Sequence, residues 1–328
     1  MRFAISVLVV VLAGVSVFGQ GSPTLRVVTD DPNLPSELYY GNVKVKPLRV
    51  RPGTNPPQLV TINDTDFFVQ EHYIDFFSRM PDQSGFTFWN NDINNCSPKP
   101  ACTDLKRTNV SAAFFVSVEF QQTGYLVERI YRAAYGNATG NSTIGGTPHT
   151  LTVPVVRFNE FIPDTRSIGN GLVVGQAGWE TVLENNKQAF TQAFVQRQRF
   201  VDAFPLNKTP AEFVNQLNLN AGNALDANEI ATAVNLFGGA PDSSNTTARA
   251  QALRQVAEDQ DLYNDEYNRA FVLMQYMGYL RRDPNSGPDT DYSGYDFWLS
   301  KLNAFNGNYV NAQMVRSFIV SGEYLGRF

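Results

Sequence analysis

The chain has 328 residues, 43% of them hydrophobic and 17% charged. That is enough apolar material for a sizeable core and enough length for two domains or one elongated repeat body. Its 26 basic and 31 acidic side chains leave a net charge of −5, which argues against a nucleic-acid-binding face.

Residues 1–19 have the pattern of an export signal. Arg2 is the charged start, Phe3 to Phe18 is apolar and free of charge, and Val17 and Gly19 are small enough to precede a cleavage point. The apolar run is short for a membrane span, which needs about 20 residues, and no later stretch is apolar enough. The expected location is outside the cytoplasm, secreted or periplasmic, with the membrane touched only through the signal before cleavage.

Residues 20–62 are rich in Pro and Gly and alternate polar with apolar positions, which predicts an extended segment with short strands. From Asp66 the pattern becomes helical. Val69, Tyr73, Phe76, Phe77 and Met80 fall on one helix face, with Pro81 expected to end it and Asp82 and Gly85 to make the turn. Phe86, Phe88 and Trp89 then belong to a second helix. Cys96 and Cys102 follow, separated by five residues, two of them prolines. In an oxidising compartment this spacing predicts a disulfide closing a small loop. Asn109 to Tyr135 predicts a long helix with a core stripe of Phe114, Val118, Leu126, Ile130 and Tyr131 and a break near Gly124.

The stretch 136–178 is polar and Gly-rich and is expected to be a loop insertion with at most a short strand. Helical pattern resumes at Trp179 and runs to Phe204. Thr209-Pro210-Ala211-Glu212 and Asp226 with Glu229 are two capping-box starts. A helix from Thr246 to about Asp259 leads into the last segment.

That last segment repeats the first. FVQEHYIDFFSRMPDQSGFTFW (68–89) aligns with FVLMQYMGYLRRDPNSGPDTDYSGYDFW (271–298), pairing Tyr73 with Tyr276, Arg79 with Arg282, Pro81 with Pro284, Asp82 with Asn285, Gly85 with Gly294 and Trp89 with Trp298. Each copy continues into a Ser-x-Glu-aromatic ending, FFVSVEF (114–120) and FIVSGEY (318–324). A repeat specifies packing and copy number rather than chemistry. The resulting divisions are a signal (1–19), an extended segment (20–62), a first helical module with the cysteine loop (63–135), the insertion (136–178), a helical linker or degenerate module (179–245) and a second module (246–328). The fold class is mainly α, repeated helix–turn–helix modules with a short extended or β N-terminal segment.

These residues resemble a bacterial family known only as domain of unknown function 4214 (DUF4214). Its pattern is an aromatic-rich helix, an Arg-x-Pro-Asp-x-x-Gly turn, a Phe-Trp helix and a Ser-x-Glu-aromatic helix. The resemblance covers 66–135 and 246–328 well, 179–245 loosely and 20–60 not at all; the second copy departs by an insert from Ser286 to Ser293. The whole chain is similar to secreted proteins of acidobacterial soil bacteria. The family has no established catalytic residues, so none carries over, and the resemblance implies an interaction role.

Chemical signatures are sparse. The two histidines, His72 and His149, sit in no catalytic or zinc motif. Gly169 to Gly175 lacks the spacing and the strand–helix context of a dinucleotide turn. Glu258, Asp259, Asp261, Asp265 and Glu266 form the densest acidic cluster and predict a solvated helix face. Asp283, Asn285, Asp289 and Asp291 place oxygen ligands as a calcium loop would, but the twelfth-position Glu is missing and two prolines restrict the wrap. Calcium is thus the one cofactor weighed, with ordinary turn chemistry the favoured role. Arg79 and Arg282 are expected to satisfy last-turn carbonyls, and Trp89 and Trp298 to anchor the core. The functional expectation is a secreted, non-enzymatic interaction or scaffold protein acting on a protein or glycan at the cell surface or extracellular matrix. The alternative is a carbohydrate-binding module or carbohydrate-active enzyme acting on extracellular polysaccharide.

Overall fold

The computed structural model describes residues 25–28, 37–40, 43–47, 49–50, 58–96 and 98–328. The export signal read at residues 1–19 lies outside the described residues. The chain divides into two units, residues 1–60 with Phe328, and residues 61–327.

In the first unit the alternating pattern forms strands. β1 (Leu25–Val28), β2 (Glu37–Tyr40) and β3 (Val43–Pro47) make an antiparallel sheet in the order β1-β2-β3, with Leu25 opposite Tyr40 and the β2–β3 register shifting between Leu38 and Tyr39. β4 (Arg49–Val50) pairs antiparallel with β5 (Leu59–Val60).

The second unit is helical, so the fold class is mainly α as expected. The first module runs α1 (Thr65–His72), α2 (Gln83–Asn94), α3 (Pro100–Val116), α4 (Val118–Gln122) and α5 (Gly124–Tyr135). α1 does not run on to Pro81. It widens into a π-helical turn at Tyr73–Phe77 and stops at Ser78, whose left-handed backbone (φ 54°) lets its N–H return to the Ile74 carbonyl. Met80, placed on the buried face by a 3.6-residue count, lies beyond that helix end and is 60% exposed. The predicted 109–135 helix is likewise three pieces. Ser117 leaves helical geometry and caps α4, so Val118 swings out to 53% exposure while Phe114, Leu126, Ile130 and Tyr131 stay buried. A Cβ on Gly124 would press into the Phe120 ring, so only glycine fits the second break.

The segment 136–178 is more ordered than a loop insertion. β6 (Ala138–Ser142) and β7 (His149–Val153) form an antiparallel hairpin, and α6 (Phe158–Gly169) follows. Residues 179–245 hold α7 (Trp179–Phe194), α8 (Gln198–Ala203), α9 (Pro210–Asn220) and α10 (Ala227–Asn235). Both expected capping boxes form: Thr209 with Glu212, and Asp226 with Glu229. The second module comprises α11 (Thr246–Ala257), α12 (Gln260–Met274), a π turn at Gln275–Leu280, α13 (Ser293–Ala304), α14 (Met314–Ile319) and α15 (Gly322–Leu325). Its π turn also ends on a left-handed residue, Arg281 (φ 57°).

α5 is the hub. It is buried along nearly its whole length, its charged Glu128 and Arg129 included, and it packs against α6, α9, α11 and α12. The two modules meet through their π turns. Phe76 and Tyr279, which occupy matching repeat positions, contact each other at 5.2 Å between ring centres, and Phe115 stacks on Phe271 at 4.2 Å. Equivalent residues touching one another is the geometry of a two-fold interface, here within one chain. Asp75 seals it, taking a bidentate ion pair from Arg327 at 2.8 Å for both contacts.

Candidate functional site

Each module builds the same clasp. In the first, Arg79 reaches across the turn to Glu119, with Nε–Oε1 and Nη2–Oε2 both at 2.7 Å. In the second, Arg282 grips Glu323 at 2.5 and 3.0 Å. The glutamates are those of the Ser-x-Glu-aromatic endings. The serines two residues earlier cap the following helix turns, accepting from Phe120 N–H and Tyr324 N–H. So the arginines do more than the expected carbonyl capping. Carbonyl bonds are present, Arg79 Nη1 to Met80 and Arg282 Nη1 to Asp283, Pro284 and Ser286, but the carboxylate pair joins the two ends of the module. Burial disfavours the Arg79 charge, yet Glu119 outweighs it and holds the guanidinium above its ordinary pKa.

Under each arginine lies a tyrosine. Arg79 sits over the Tyr73 ring at 5.0 Å and Arg282 over Tyr276 at 5.3 Å, within the range of a cation–π contact. Burial raises the Tyr73 hydroxyl to about 12. Each hydroxyl lies against a glycine backbone: a Cβ on Gly85 would overlap Tyr73 Oη, and one on Gly294 would crowd Tyr276 Oη. The repeated glycine is thus a close-approach residue inside the first turn of α2 and of α13.

Pro81 and Pro284 lie in the turns as aligned. Asp82 caps α2, accepting from Gly85 N–H at 2.8 Å. Its partner in the second copy is not Asn285. In the insert Asp291, three residues before Gly294, accepts from Ser293 N–H at 2.9 Å, while the residue that precedes α13 is Tyr292, which makes no side-chain cap. Asn285 Oδ1 is buried without a hydrogen-bond partner.

The calcium candidates do not converge. Asp283 pairs with Arg157 and accepts from Phe158 N–H, Asp289 pairs with Arg282, and Asp291 accepts from Ser293 N–H. Among the described residues no group of three or more His, Cys, Asp or Glu side chains is placed to hold a metal. The solvated-face reading of the acidic cluster fails in part. Asp259 caps α12, Glu258 pairs with Lys187 and Arg254, and Glu266 is 2% exposed and held by Arg132 at 2.9 Å. Glu266 faces Glu128 across α5 and α12. Burial and then that neighbouring charge raise Glu128 to about 8.

The two histidines lie in unlike surroundings. His72 is buried between Phe68 O and Ser111 Oγ, both 2.8 Å away, and burial lowers its pKa to about 3. His149 bonds Thr147 O and Asp296 Oδ2 through its two ring nitrogens, with Asp296 also accepting from Ser142 Oγ. The carboxylate therefore ties the hairpin to α13.

Cys96 and Cys102 lie at disulfide bonding distance, with Cα atoms 5.4 Å apart, and close the loop between α2 and α3. Trp89 and Trp298 correct the core expectation: both are half-buried. Each leans on the phenylalanine of its own module's ending, Trp89 on Phe114 and Trp298 on Phe318. On its outer side each meets an exposed phenylalanine edge-to-face, Phe88 at 4.8 Å and Phe297 at 4.9 Å. Phe88 is 61% exposed and Phe297 42%. Helix periodicity alone could have separated Phe88 from the Ile93 side of α2; the repeat match between the two phenylalanines hid that they are surface residues.

The fold and the repeated clasp define a mainly α protein of two related modules bridged by further helices. No protein-family model, curated protein or solved structure matches the chain.

Proposed function

We propose that the chain is a secreted, non-enzymatic interaction or scaffold protein of the cell surface or extracellular matrix, with both modules belonging to the domain of unknown function 4214 family. The observation that carries this reading is the pair of exposed phenylalanines, Phe88 and Phe297, each against a half-buried tryptophan, at equivalent positions of the two modules. Large apolar side chains left in water at matched sites are a feature of contact surfaces. A cysteine pair at bonding distance is compatible with an oxidising compartment, and no helix of the described residues is long and apolar enough to cross a membrane.

The titratable groups support the non-enzymatic side. His72 and Glu128, both strongly shifted by burial, lie inside the packed core, and the half-exposed Glu184, lowered to about 2, is taken up by its ion pair with Arg254, whereas catalysis needs convergent groups around a substrate-sized space. A groove of about 540 Å3 is lined by Glu229, Arg254 and Glu258, but Glu229 serves the α10 capping box and Glu258 is paired with Arg254 and Lys187. Affinity capture from the native surface fraction, run beside a glycan array and a polysaccharide-hydrolase panel, tests the reading. It predicts retention of a partner without turnover. Hydrolysis of a polysaccharide, abolished by one carboxylate-to-amide change, would establish the carbohydrate-active alternative instead.

A further inference from the structure

We infer that the outer faces of α2 and α13 are two copies of one binding site for an uncharged polysaccharide, centred on Phe88 and Phe297; this rests on the interaction reading above and names its partner. Phenylalanine belongs inside a folded protein, yet one copy of this residue is 61% exposed and its repeat equivalent 42%. Neither ring is loose. Each is held edge-to-face by the adjacent tryptophan, at interplanar angles of 74° and 77°, so little ordering remains to be done when a ligand arrives.

The surroundings select the ligand class. Ser84, Phe88 and Asn91 share one stripe of α2 at spacings of four and three, with Thr87 and Asn94 beside them, all exposed. On α13 the same spacing joins Phe297 to Ser300, flanked by Asn303. These rims are hydroxyls and amides, which both donate and accept hydrogen bonds, around an apolar ring. The charged residues of both helices are already engaged. Asp92 pairs with Lys106, Asp296 with His149, and Lys301 lies against the Phe297 and Trp298 rings. The α2 stripe carries no cation of its own, and the one on α13, Lys301, is turned onto the Phe297 and Trp298 rings. A sugar offers what they match: C–H faces to lie on a phenyl ring and neutral hydroxyls for amide and hydroxyl partners.

The test is affinity electrophoresis and co-sedimentation of the full chain with cellulose, a soluble β-glucan, a galactomannan and, as the anionic control, alginate. Phe88→Ala, Phe297→Ala and the double variant are compared with the parent. Retention by at least one neutral polysaccharide is expected, weakened roughly tenfold by each single change and lost in the double variant at an unchanged melting midpoint. No neutral retention, preferential alginate binding, or equal retention by the stable double variant would overturn the inference. Capture of a surface protein through the two phenylalanines, with no neutral glycan bound, would also overturn it while leaving the interaction reading standing. Glycan cleavage with Phe-dependent binding would sustain the sites and defeat the non-enzymatic reading.

Discussion

Arg79 and Glu119 stand 40 residues apart in sequence and meet in a two-point ion pair, both contacts at 2.7 Å. Arg282 and Glu323 repeat it at a separation of 41. The copies differ in solvent access: the Glu119 side chain is 7% exposed and that of Glu323 34%. Losing one partner of a buried pair strands a charge, at about 3–5 kcal/mol, whereas an exposed pair contributes about 1 kcal/mol or less. Arg79→Met should therefore lower the urea-unfolding free energy several-fold more than Arg282→Met. Equal effects would mean that Glu119 finds water or another donor.

Gly85→Ala should destabilise by about 1–3 kcal/mol, the range for overpacking, because the new methyl meets the Tyr73 hydroxyl. In a Tyr73→Phe background most of that penalty should disappear, and thermal melts of the four-member cycle would report the coupling. Independent, additive effects would show that the close contact is not the cause.

Burial and the Glu266 charge raise Glu128 to about 8 from an ordinary 4.5. The folded state keeps that proton where the unfolded state releases it, so the contribution is intact below pH 4.5 and is lost as pH rises through 8. His72 acts from the other side: lowered to about 3 from 6.5, it costs stability as pH falls from 6.5 towards 3. Unfolding free energy against pH should thus decline on both flanks. Glu128→Gln should flatten the alkaline flank and leave the acid one, and an unaltered alkaline decline would contradict the assignment.

The Cys96–Cys102 bridge closes a loop of seven residues, counting both ends. Loop-closure entropy for that length is worth about 2 kcal/mol. Mass spectrometry under alkylation should find no free thiol before reduction, and reduction should lower the melting midpoint modestly. Two alkylatable thiols in the native protein would refute the bond.

What could be read from sequence was local. The aromatic-rich helices, the Pro–Gly turns and both capping boxes each lie within a few residues, and the 203-residue offset of the repeat announced two like modules. What could not be read depended on partners brought from afar. Nothing near Arg79 points to Glu119, and nothing near Glu266 says that Arg132 buries it. The early stop at the left-handed Ser78 also defeated strict 3.6-residue counting, which put Met80 inside. Trp89 and Trp298, expected in the core, are half-buried against Phe114 and Phe318; equivalence between repeats indicates a shared role, and the exposed pair Phe88 and Phe297 gives the same signal as a shared core pair would. The hairpin at 138–153 was hidden because its Gly- and Thr-rich strands carry little apolar alternation; it is held by pairing and by contacts such as Tyr292 N–H to Asn141 O.

Side-by-side thermal unfolding and surface-fraction binding of the Phe88→Ala/Phe297→Ala protein test the central claim most directly. If the two phenylalanines are contact residues on intact modules, the melting midpoint stays with the parent and binding is lost. A midpoint lowered by several degrees, or binding that survives at full strength, would contradict it.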